Sequence, residues 1–208
     1  MTKPGIDPLP VTLAGRCVRL EPMRELHLER LVEIGVGHDI FRWFPFAVAT
    51  REDMASYVAA ALAGMRAGVA VPFVTVLRAT GEVVGSTSFL AIDRANRRLE
   101  IGATWLGVPW QRTACNTEAK YLQLRHCFEE LGCVRVEFKT DALNARSRAA
   151  LLRIGATEEG TFRNHMVCAG GRLRDSVYFS VIDSEWTAVK RGLEAMLAAA
   201  TDGPSDPR

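Results

Sequence analysis

The chain has 208 residues, of which 48% are hydrophobic and 24% are charged, as in an ordinary globular protein with a single core. A formal net charge of +2, without a basic and aromatic motif, argues against a nucleic-acid-binding protein. The five cysteines form no CxxC pair and the four histidines have no metal-ligand spacing, so we predict a reducing compartment and no metal site. There is no signal pattern and no apolar run of membrane length, so we expect a cytoplasmic protein without a membrane partner.

After an irregular lead-in, the first half of the chain predicts one strand and two helices. Residues 1–12 carry three prolines and predict no regular element. The stretch "RCVRLEPM" (16–23) interleaves apolar and charged residues, as a short strand does. In "RELHLERLVEIG" (24–35) apolar residues fall on one helical face, and a capping-box pattern of Thr50 and Asp53 starts a second helix.

Four aromatic residues occur within six positions in "FRWFPF" (41–46), between the two predicted helices. Aromatic side chains bury a large apolar area, so this segment could fill part of the core. Concave apolar walls are also what a substrate pocket needs, so the same residues could line such a pocket. The residues alone leave both interpretations open.

Three strands follow, and the short turns between them predict an antiparallel meander. They are "PFVTVLR" (72–78), "VVGSTSFLAI" (83–92) and "LEIGATWL" (99–106). A helix with an apolar stripe through Leu131 separates them from the strand "CVRVEFKT" (133–140). Because a helical crossover joins strands that run in the same direction, we predict that this strand pairs in parallel with the meander.

The last third of the chain predicts a short helix, a hairpin and a final helix. "SRAALLRIG" (147–155) is the short helix, for which Ser147 or Asn144 is a suitable cap. Two strands then flank "CAGG" (168–171), which predicts a hairpin. An amphipathic helix begins near Trp186.

The stretch "PWQRTACNTEAKY" (109–121) leads from a strand into a helix, the usual location of a phosphate site, yet it contains no glycine. A helix N-terminus offers unpaired amides and the positive end of the macrodipole to an anion. Asn116 and Thr117 are good helix caps, and Arg112 could make forked contacts with phosphate oxygens. Most helix N-termini bind only their own cap, so a plain loop before a helix remains the other interpretation.

The order of the elements and several motifs resemble the GNAT superfamily of acyl-CoA-dependent N-acetyltransferases, and within it the RimJ/RimL-like branch. The resemblance extends from Leu13 to Trp186. One motif is "EIGATWL" followed by "PWQRTACNTEA", and another is "NARS", in which Asn144 and Ser147 form an N-x-x-S pair. "EEGTFRNHM" and "RDSVYFSVI" resemble the closing hairpin of this branch.

This resemblance implies an α+β fold with a mixed, mostly antiparallel central sheet flanked by helices. Two parallel strands of the sheet splay apart and form the acyl-CoA cleft. We expect a single domain over residues 13–198, with irregular termini at 1–12 and 199–208. The oligomeric state is left open, a homodimer included.

Acetyl-CoA is the cofactor that the resemblance implies, as acyl donor and without a metal. Its pantetheine arm would pair with the backbone at Trp105 and Leu106 and bind Asn144. The pyrophosphate would rest on the loop and the first turn of the next helix. The residues concerned are Gln111, Arg112, Thr113, Ala114, Asn116 and Thr117.

The loop departs from the common family pattern Q-G-x-G-x-G/A at Arg112, Ala114 and Asn116. Amides hold the phosphate, whereas glycine only permits close approach and unusual torsions. Alanine is a mild replacement for glycine, and asparagine tolerates left-handed torsions. Arg112 is therefore the main substitution, and it adds a charge where the family relies on backbone groups.

The implied reaction is attack of a neutral amine on a thioester, which needs a base, an oxyanion donor and an acid for the thiolate. Ser147 matches the family hydroxyl near the cofactor sulfur, and the backbone at Leu106 matches the oxyanion donor. Glu100 on the meander and Glu137 on the parallel strand compete as the base, acting through a water, and we favour Glu100. The helix-cap explanation of Ser147 and Asn144 stays open beside these roles.

The aromatic segment lies where this branch has its acceptor loop, so we expect Trp43, Phe44 and Phe46 to line the acceptor site, with Glu137 as a further substrate contact. The predicted activity is acetyl transfer from acetyl-CoA to a primary amine, on a protein N-terminus or a small molecule, by direct attack in a ternary complex. The alternative is a GNAT-like sensor or interaction module that binds acyl-CoA without turnover, which the missing glycines would favour.

Overall fold

The computed structural model describes residues 5–201, which fold around one eight-stranded sheet. The strands are β1 (Leu13–Ala14), β2 (Val18–Pro22), β3 (Val71–Leu77), β4 (Val83–Asp93), β5 (Arg98–Leu106), β6 (Arg135–Asp141), β7 (Thr157–Val167) and β8 (Leu173–Ile182). The helices are α1 (Leu28–Gly35), α2 (Arg51–Arg66), α3 (Ala114–Arg125), α4 (Ala145–Arg153) and α5 (Trp186–Thr201). A π-helical turn over His126–Leu131 continues α3.

The strands lie in the order β1-β2-β3-β4-β5-β6-β8-β7. β5 and β6 form the parallel pair, and the other neighbouring strands are antiparallel. The parallel register joins Arg98–Glu100 only to Arg135–Glu137, although β5 continues to Leu106 and β6 to Asp141. The predicted mixed sheet with a splayed parallel pair is therefore confirmed.

Helices cover the sheet on both faces, because its strands alternate their apolar side chains. In β3, Phe73 belongs to one buried cluster and the next residue, Val74, belongs to the other. Leu31 of α1 and Met54 of α2 pack with Val74, whereas Leu122 of α3 packs in the cluster of Phe73. The sheet is thus the middle layer of three.

The described residues extend beyond both predicted domain limits, 13 and 198, which stay a prediction. Residues 5–12 form no helix or strand, as expected for the lead-in. At the other end α5 continues to Thr201, three residues past the predicted limit of the domain. Residues 1–4 and 202–208 of the predicted irregular termini lie outside the described residues.

Two kinds of feature are absent from the described part of the chain. No helix there is both long and apolar enough to cross a membrane. No group of three or more histidine, cysteine, aspartate or glutamate side chains there is arranged to hold a metal ion. The five cysteines are free thiols.

A buried carboxylate fastens α3 to the turn between β1 and β2. Glu118 is only 3% exposed, and its two oxygens accept hydrogen bonds from the amides of Arg16, Cys17 and Val18 at 2.6–2.7 Å. Gly15 leaves the space for it, since a Cβ there would lie 2.5 Å from the carboxyl carbon of Glu118. The contact holds the start of α3 at a fixed place over the sheet.

We predict that Glu118→Gln lowers the free energy of unfolding by about 2–4 kcal/mol, because the amide nitrogen must then face backbone donors in a buried site. Urea denaturation followed by circular dichroism would measure it. Glu194→Gln, at an exposed glutamate bonded to Tyr121, is the matched control, and its effect should stay below about 1 kcal/mol. Equal losses in the two variants would contradict the anchoring role of Glu118.

Candidate active site

A cavity of about 1030 Å3 opens where β5 and β6 separate. It runs from the start of α3 and α4 to the aromatic segment between α1 and α2. The predicted site residues in its lining are Trp43, Phe44, Phe46, Glu100, Trp105, Leu106, Gln111, Arg112, Thr113, Asn116, Asn144 and Ser147. One cavity therefore brings together most of the residues that the sequence placed in the cofactor and acceptor sites.

Three predicted site residues are outside that lining and have other contacts. Ala114 is the first residue of α3. Thr117 is buried, and its hydroxyl accepts a hydrogen bond from Arg153 of α4 at 3.0 Å. The carboxylate of Glu137 accepts hydrogen bonds from Arg98 at 3.0 Å and from Arg135 at 2.8 Å. These side chains hold elements together around the cavity.

The helix α3 begins at the cavity with Thr113 as its N-cap. The Thr113 hydroxyl accepts a hydrogen bond from the amide of Cys115 at 3.3 Å and donates one to the carbonyl of Trp110 at 2.8 Å. The prediction that Asn116 or Thr117 caps this helix is wrong, because the helix starts earlier and both residues are already helical. The amides of the first turn have no acceptor within a helix, so its positive end lies beside the cavity.

The loop before α3 has a glycine-like backbone without a glycine. Arg112 has a φ of 64°, in the left-handed region, which costs a non-glycine residue about 1 kcal/mol. Beside it, the Gln111 amide donates to the carbonyl of Leu106 at 2.8 Å and accepts from the guanidinium of Arg146 at 2.7 Å. Gln111 therefore connects the end of β5 to α4 and fixes the loop in this conformation.

A β-bulge lies in the part of β5 that lines the cavity, and the sequence analysis did not predict it. Ser86 of β4 pairs with Trp105 and Ser88 pairs with Gly102, so β5 has one residue more than β4 in this interval. Ala103, within the interval, has a φ of 47°. The residues of β5 on both sides of the bulge, 100–106, line the cavity.

Asn144 and Ser147 lie at the start of α4 and line the cavity. The side-chain oxygen of Asn144 accepts a hydrogen bond from the Ser147 amide at 3.0 Å, which makes Asn144 the N-cap of α4. Ser147 is in the first turn, with its amide rather than its hydroxyl in the cap. The cap therefore orients both side chains without using the Ser147 hydroxyl.

Glu100 contributes a buried carboxylate to the cavity, with 6% of the residue exposed. One oxygen of this carboxylate lies 3.3 Å from the ammonium nitrogen of Lys139. Gly102 makes room for it, because a Cβ at that position would lie 2.6 Å from a Glu100 oxygen. Glu100 and Glu137 are partners in the parallel register, yet only Glu100 lines the cavity.

The aromatic segment divides between the core and the cavity, so each of its two interpretations holds for part of it. Phe41 is buried, and its ring centroid is 5.1 Å from that of Trp105. The other three aromatic residues line the cavity. The ring of Trp43 has the guanidinium groups of Arg42 and Arg172 at 5.0 and 5.7 Å from its centroid. This end of the cavity is therefore apolar with a cationic rim.

Residues 18–157 match the family model "Acetyltransferase (GNAT) domain", which covers most of the chain. The chain belongs to the GNAT acetyltransferase family. Over 110 residues it is 34% identical to "Putative ribosomal N-acetyltransferase YdaF" of Bacillus subtilis (strain 168), a match that covers 53% of this chain and 59% of that protein. The chain thus matches less than two thirds of the length of this relative.

Solved GNAT structures cover nearly the whole chain. A GCN5-related N-acetyltransferase from Brucella melitensis is 34% identical with a TM-score of 0.88, and the match covers 97% of this chain and 91% of that one. Mycobacterium smegmatis RimJ, in complex with CoA-disulfide, is 25% identical with a TM-score of 0.73 over 93% of this chain and 95% of that one. The predicted GNAT fold and the GNAT acetyltransferase family are confirmed, and the names of these relatives support the RimJ/RimL-like branch.

Lys120 of this GNAT domain is a cavity residue that the sequence analysis missed. It is 5% exposed, and its ammonium nitrogen donates to the Thr104 hydroxyl at 2.7 Å. Burial lowers the pKa of Lys120 to about 7. A sequence signal existed, since Lys120 lies one helical turn before the buried Leu124 and one turn after the buried Thr117. A lysine on the buried face of a helix indicates an unusual environment.

We predict that Lys120→Met raises the free energy of unfolding in a pH-dependent way. The pKa of Lys120 is about 7 in the folded chain and about 10.4 in an unfolded one, so between these pH values the unfolded chain holds a proton that the folded chain lacks. The free energy of unfolding of the wild type therefore rises with pH across this window. The full cost of holding a charged Lys120 in the buried site is present below pH 7. The gain from the substitution should be largest there, on the order of 3 kcal/mol, and should shrink towards pH 10.

Urea denaturation at several pH values between about 6 and 10 would measure the difference in the free energy of unfolding between Lys120→Met and the wild type. The difference isolates Lys120, because the other groups titrate alike in the two proteins. Lys190→Met is the matched control. Lys190 is a surface lysine bonded to Glu129, and this contact raises its pKa. A difference between wild type and Lys120→Met that does not change with pH would contradict the lowered pKa.

Proposed function

We propose that this chain transfers an acetyl group from acetyl-CoA to a primary amine, on a protein N-terminus or a small molecule, by direct attack in a ternary complex. The observation that carries this proposal is the single cavity between β5 and β6. Its lining includes the N-terminus of α3, the buried carboxylate of Glu100 and three aromatic residues of the segment between α1 and α2. A reaction between an anionic donor and an amine needs these three environments in one space.

The cofactor end has the chemistry that a coenzyme A diphosphate requires. The left-handed torsion at Arg112 and the first-turn amides of α3, of which the Thr113 cap uses that of Cys115, provide backbone donors for an anion. The guanidinium of Arg112 adds a charge beside them. The pantetheine arm would lie along β5 at Trp105 and Leu106, where β6 no longer pairs with that strand, and would contact Asn144. Acetyl-CoA supplies the activated acyl carbon.

Glu100 is the group that we assign as the base. Its carboxylate faces the cavity and is held by Lys139, so it can draw a proton from an acceptor ammonium, directly or through water. The carboxylate of Glu137 forms ion pairs with Arg98 and Arg135, and Glu137 does not line the cavity. Ser147 is assigned as the donor that protonates the departing thiolate, because the residue lines the cavity and its hydroxyl is not used in the helix cap. The Leu106 amide is assigned to the oxyanion.

The acceptor would enter at the aromatic end, beside Trp43. Phe44 and Phe46 give this end an apolar wall, which suits the carbon skeleton next to an amine. The name of the Bacillus subtilis relative describes a ribosomal acetyltransferase, which supports a protein N-terminus as one of the two acceptor classes.

The decisive experiment is incubation with acetyl-CoA and a panel of small amines and N-terminal peptides, with free thiol as the readout. We expect thiol release that depends on the amine. Calorimetry with CoA tests binding in parallel. CoA binding without thiol release over a broad panel would favour the sensor or interaction module, and absence of CoA binding would reject both functions.

We predict that Glu100→Gln lowers kcat by about 100-fold while the affinity for CoA changes little, because the base is lost and the donor site is intact. Ser147→Ala should lower kcat by about 10-fold, since water can replace the hydroxyl as acid. Glu137→Gln is the matched variant across the parallel register and should keep kcat within about 2-fold. Loss of activity in Glu137→Gln with normal activity in Glu100→Gln would reverse the assignment of the base.

A further inference from the structure

Lys120 is a buried amine in the cavity that the proposed reaction does not use. Its ammonium nitrogen lies 5.9 Å from the centroid of the Phe138 ring and 2.7 Å from the Thr104 hydroxyl. Within the described residues, no carboxylate is close enough to form an ion pair with it. A charged lysine in such a place loses hydration without gaining a counter-ion, so the neutral amine is favoured.

The contacts around Lys120 use one N–H of its amine, which donates to the Thr104 hydroxyl at 2.7 Å. The Thr104 hydroxyl lies 2.7 Å from that of Thr87, in a contact in which either oxygen can donate, and it also donates to the Gly102 carbonyl at 3.4 Å. The Thr87 hydroxyl donates to the side-chain oxygen of Gln123 at 3.2 Å. The lone pair of the neutral amine remains available, and the residue lines the cavity.

The other lysines of the chain have different surroundings. The sequence has four lysines, and Lys3 lies outside the described residues. The ammonium of Lys139 lies 3.3 Å from a Glu100 oxygen. That of Lys190 lies 2.7 Å from a Glu129 oxygen, at the surface, and its pKa is raised. With a pKa near 7, Lys120 has about half of its molecules in the neutral, nucleophilic form at neutral pH, far more than an ordinary lysine.

We propose that Lys120 is a self-acetylation site, which takes the acetyl group of acetyl-CoA bound in the same cavity when no acceptor amine is present. This inference rests on the proposed function, since that function supplies the donor. The Lys120 nitrogen forms a bond to the thioester carbonyl carbon, and the carbon–sulfur bond breaks with its electron pair on sulfur. One proton leaves the nitrogen and ends on the thiolate. The products are an N-acetyl-lysine amide and the CoA thiol, with no change in oxidation state.

Acetylation of Lys120 would have consequences for the enzyme. It removes the titratable amine, so the charged form no longer has to be accommodated in the buried site. It also leaves an acetyl group in the space between the separated strands, where the donor thioester would lie. The modified chain would therefore bind acetyl-CoA more weakly than the unmodified chain.

The test is incubation of the full chain with acetyl-CoA and no acceptor, followed by intact mass and peptide mapping. We expect one acetyl group per chain, with about tenfold more acetyl on the Lys120 peptide than on the Lys190 peptide, because only the former is held beside the donor. Excess CoA, which has no acetyl group but fills the same site, should suppress the modification. Lys120→Arg should remove it, and the surface variant Lys190→Arg should retain it.

The outcomes separate this inference from the proposed function. If calorimetry shows CoA binding but the acetyl group is absent from Lys120 or found on Lys139, the inference is overturned and the proposed function stands. If excess CoA leaves the labelling of Lys120 unchanged, the acetyl comes from solution chemistry and the inference is again wrong. If CoA does not bind at all, both are overturned. Because the wild-type peptide map is decisive by itself, a folding defect in Lys120→Arg would not obscure the result.

Discussion

The separation of β5 from β6 is the constraint on which the rest of the site depends. The two strands share only three register pairs, and β5 then extends to Leu106 without β6 beside it. Backbone groups along such an edge are costly to leave unpaired inside a protein, so the edge needs a partner. The first turns of α3 and α4 border the cavity beside this edge. A pantetheine arm, with its own amides, is a partner of that kind.

The same separation explains why charged groups can persist deep in the domain. Glu100 of β5 and Asp141 of β6 are buried carboxylates, and they pair with Lys139 and with Arg172 and Arg174, respectively. Buried carboxylates of this kind rarely add stability, because desolvation offsets most of the attraction to their partners. Of the two carboxylates only Glu100 lines the cavity, where we propose that it acts as the base.

Periodicity in the sequence was sufficient to predict most helices and strands, because each buries one face of its repeat. The predictions failed where a local contact decided the outcome. The predicted caps of α3 are Asn116 and Thr117, whereas Thr113 takes this position and also donates to the Trp110 carbonyl. The bulge at Ala103 follows directly after Gly102, and a glycine inside a strand is a signal for a bulge that the sequence analysis did not use.

The candidate site was predictable in its residues more than in their roles. The alternation of apolar and charged residues in the strands does not distinguish Glu100 from Glu137, because each is a single acidic residue between apolar neighbours. The arginines that bind Glu137 come from β5 and from its own strand, so only the paired sheet shows which carboxylate remains for the cavity. Lys120 was overlooked because a single lysine in a helix normally extends to solvent. Lys120 is buried at the cavity where β5 and β6 separate, and the local sequence gives no sign of this separation.

The loop before α3, which we propose as the diphosphate site, has a left-handed torsion without a glycine to provide it. What a diphosphate requires is a run of amides that converge on one point, and this depends on backbone torsions. Arg112 adopts the left-handed torsion that glycine would adopt with less strain, while Gln111 holds the loop between β5 and α4. The strain of about 1 kcal/mol at Arg112 is small, and the two hydrogen bonds that hold the neighbouring Gln111 can offset it. The loop also has the guanidinium of Arg112 at its turn. A positive charge can therefore contribute to diphosphate binding, where a loop with glycine has only backbone amides.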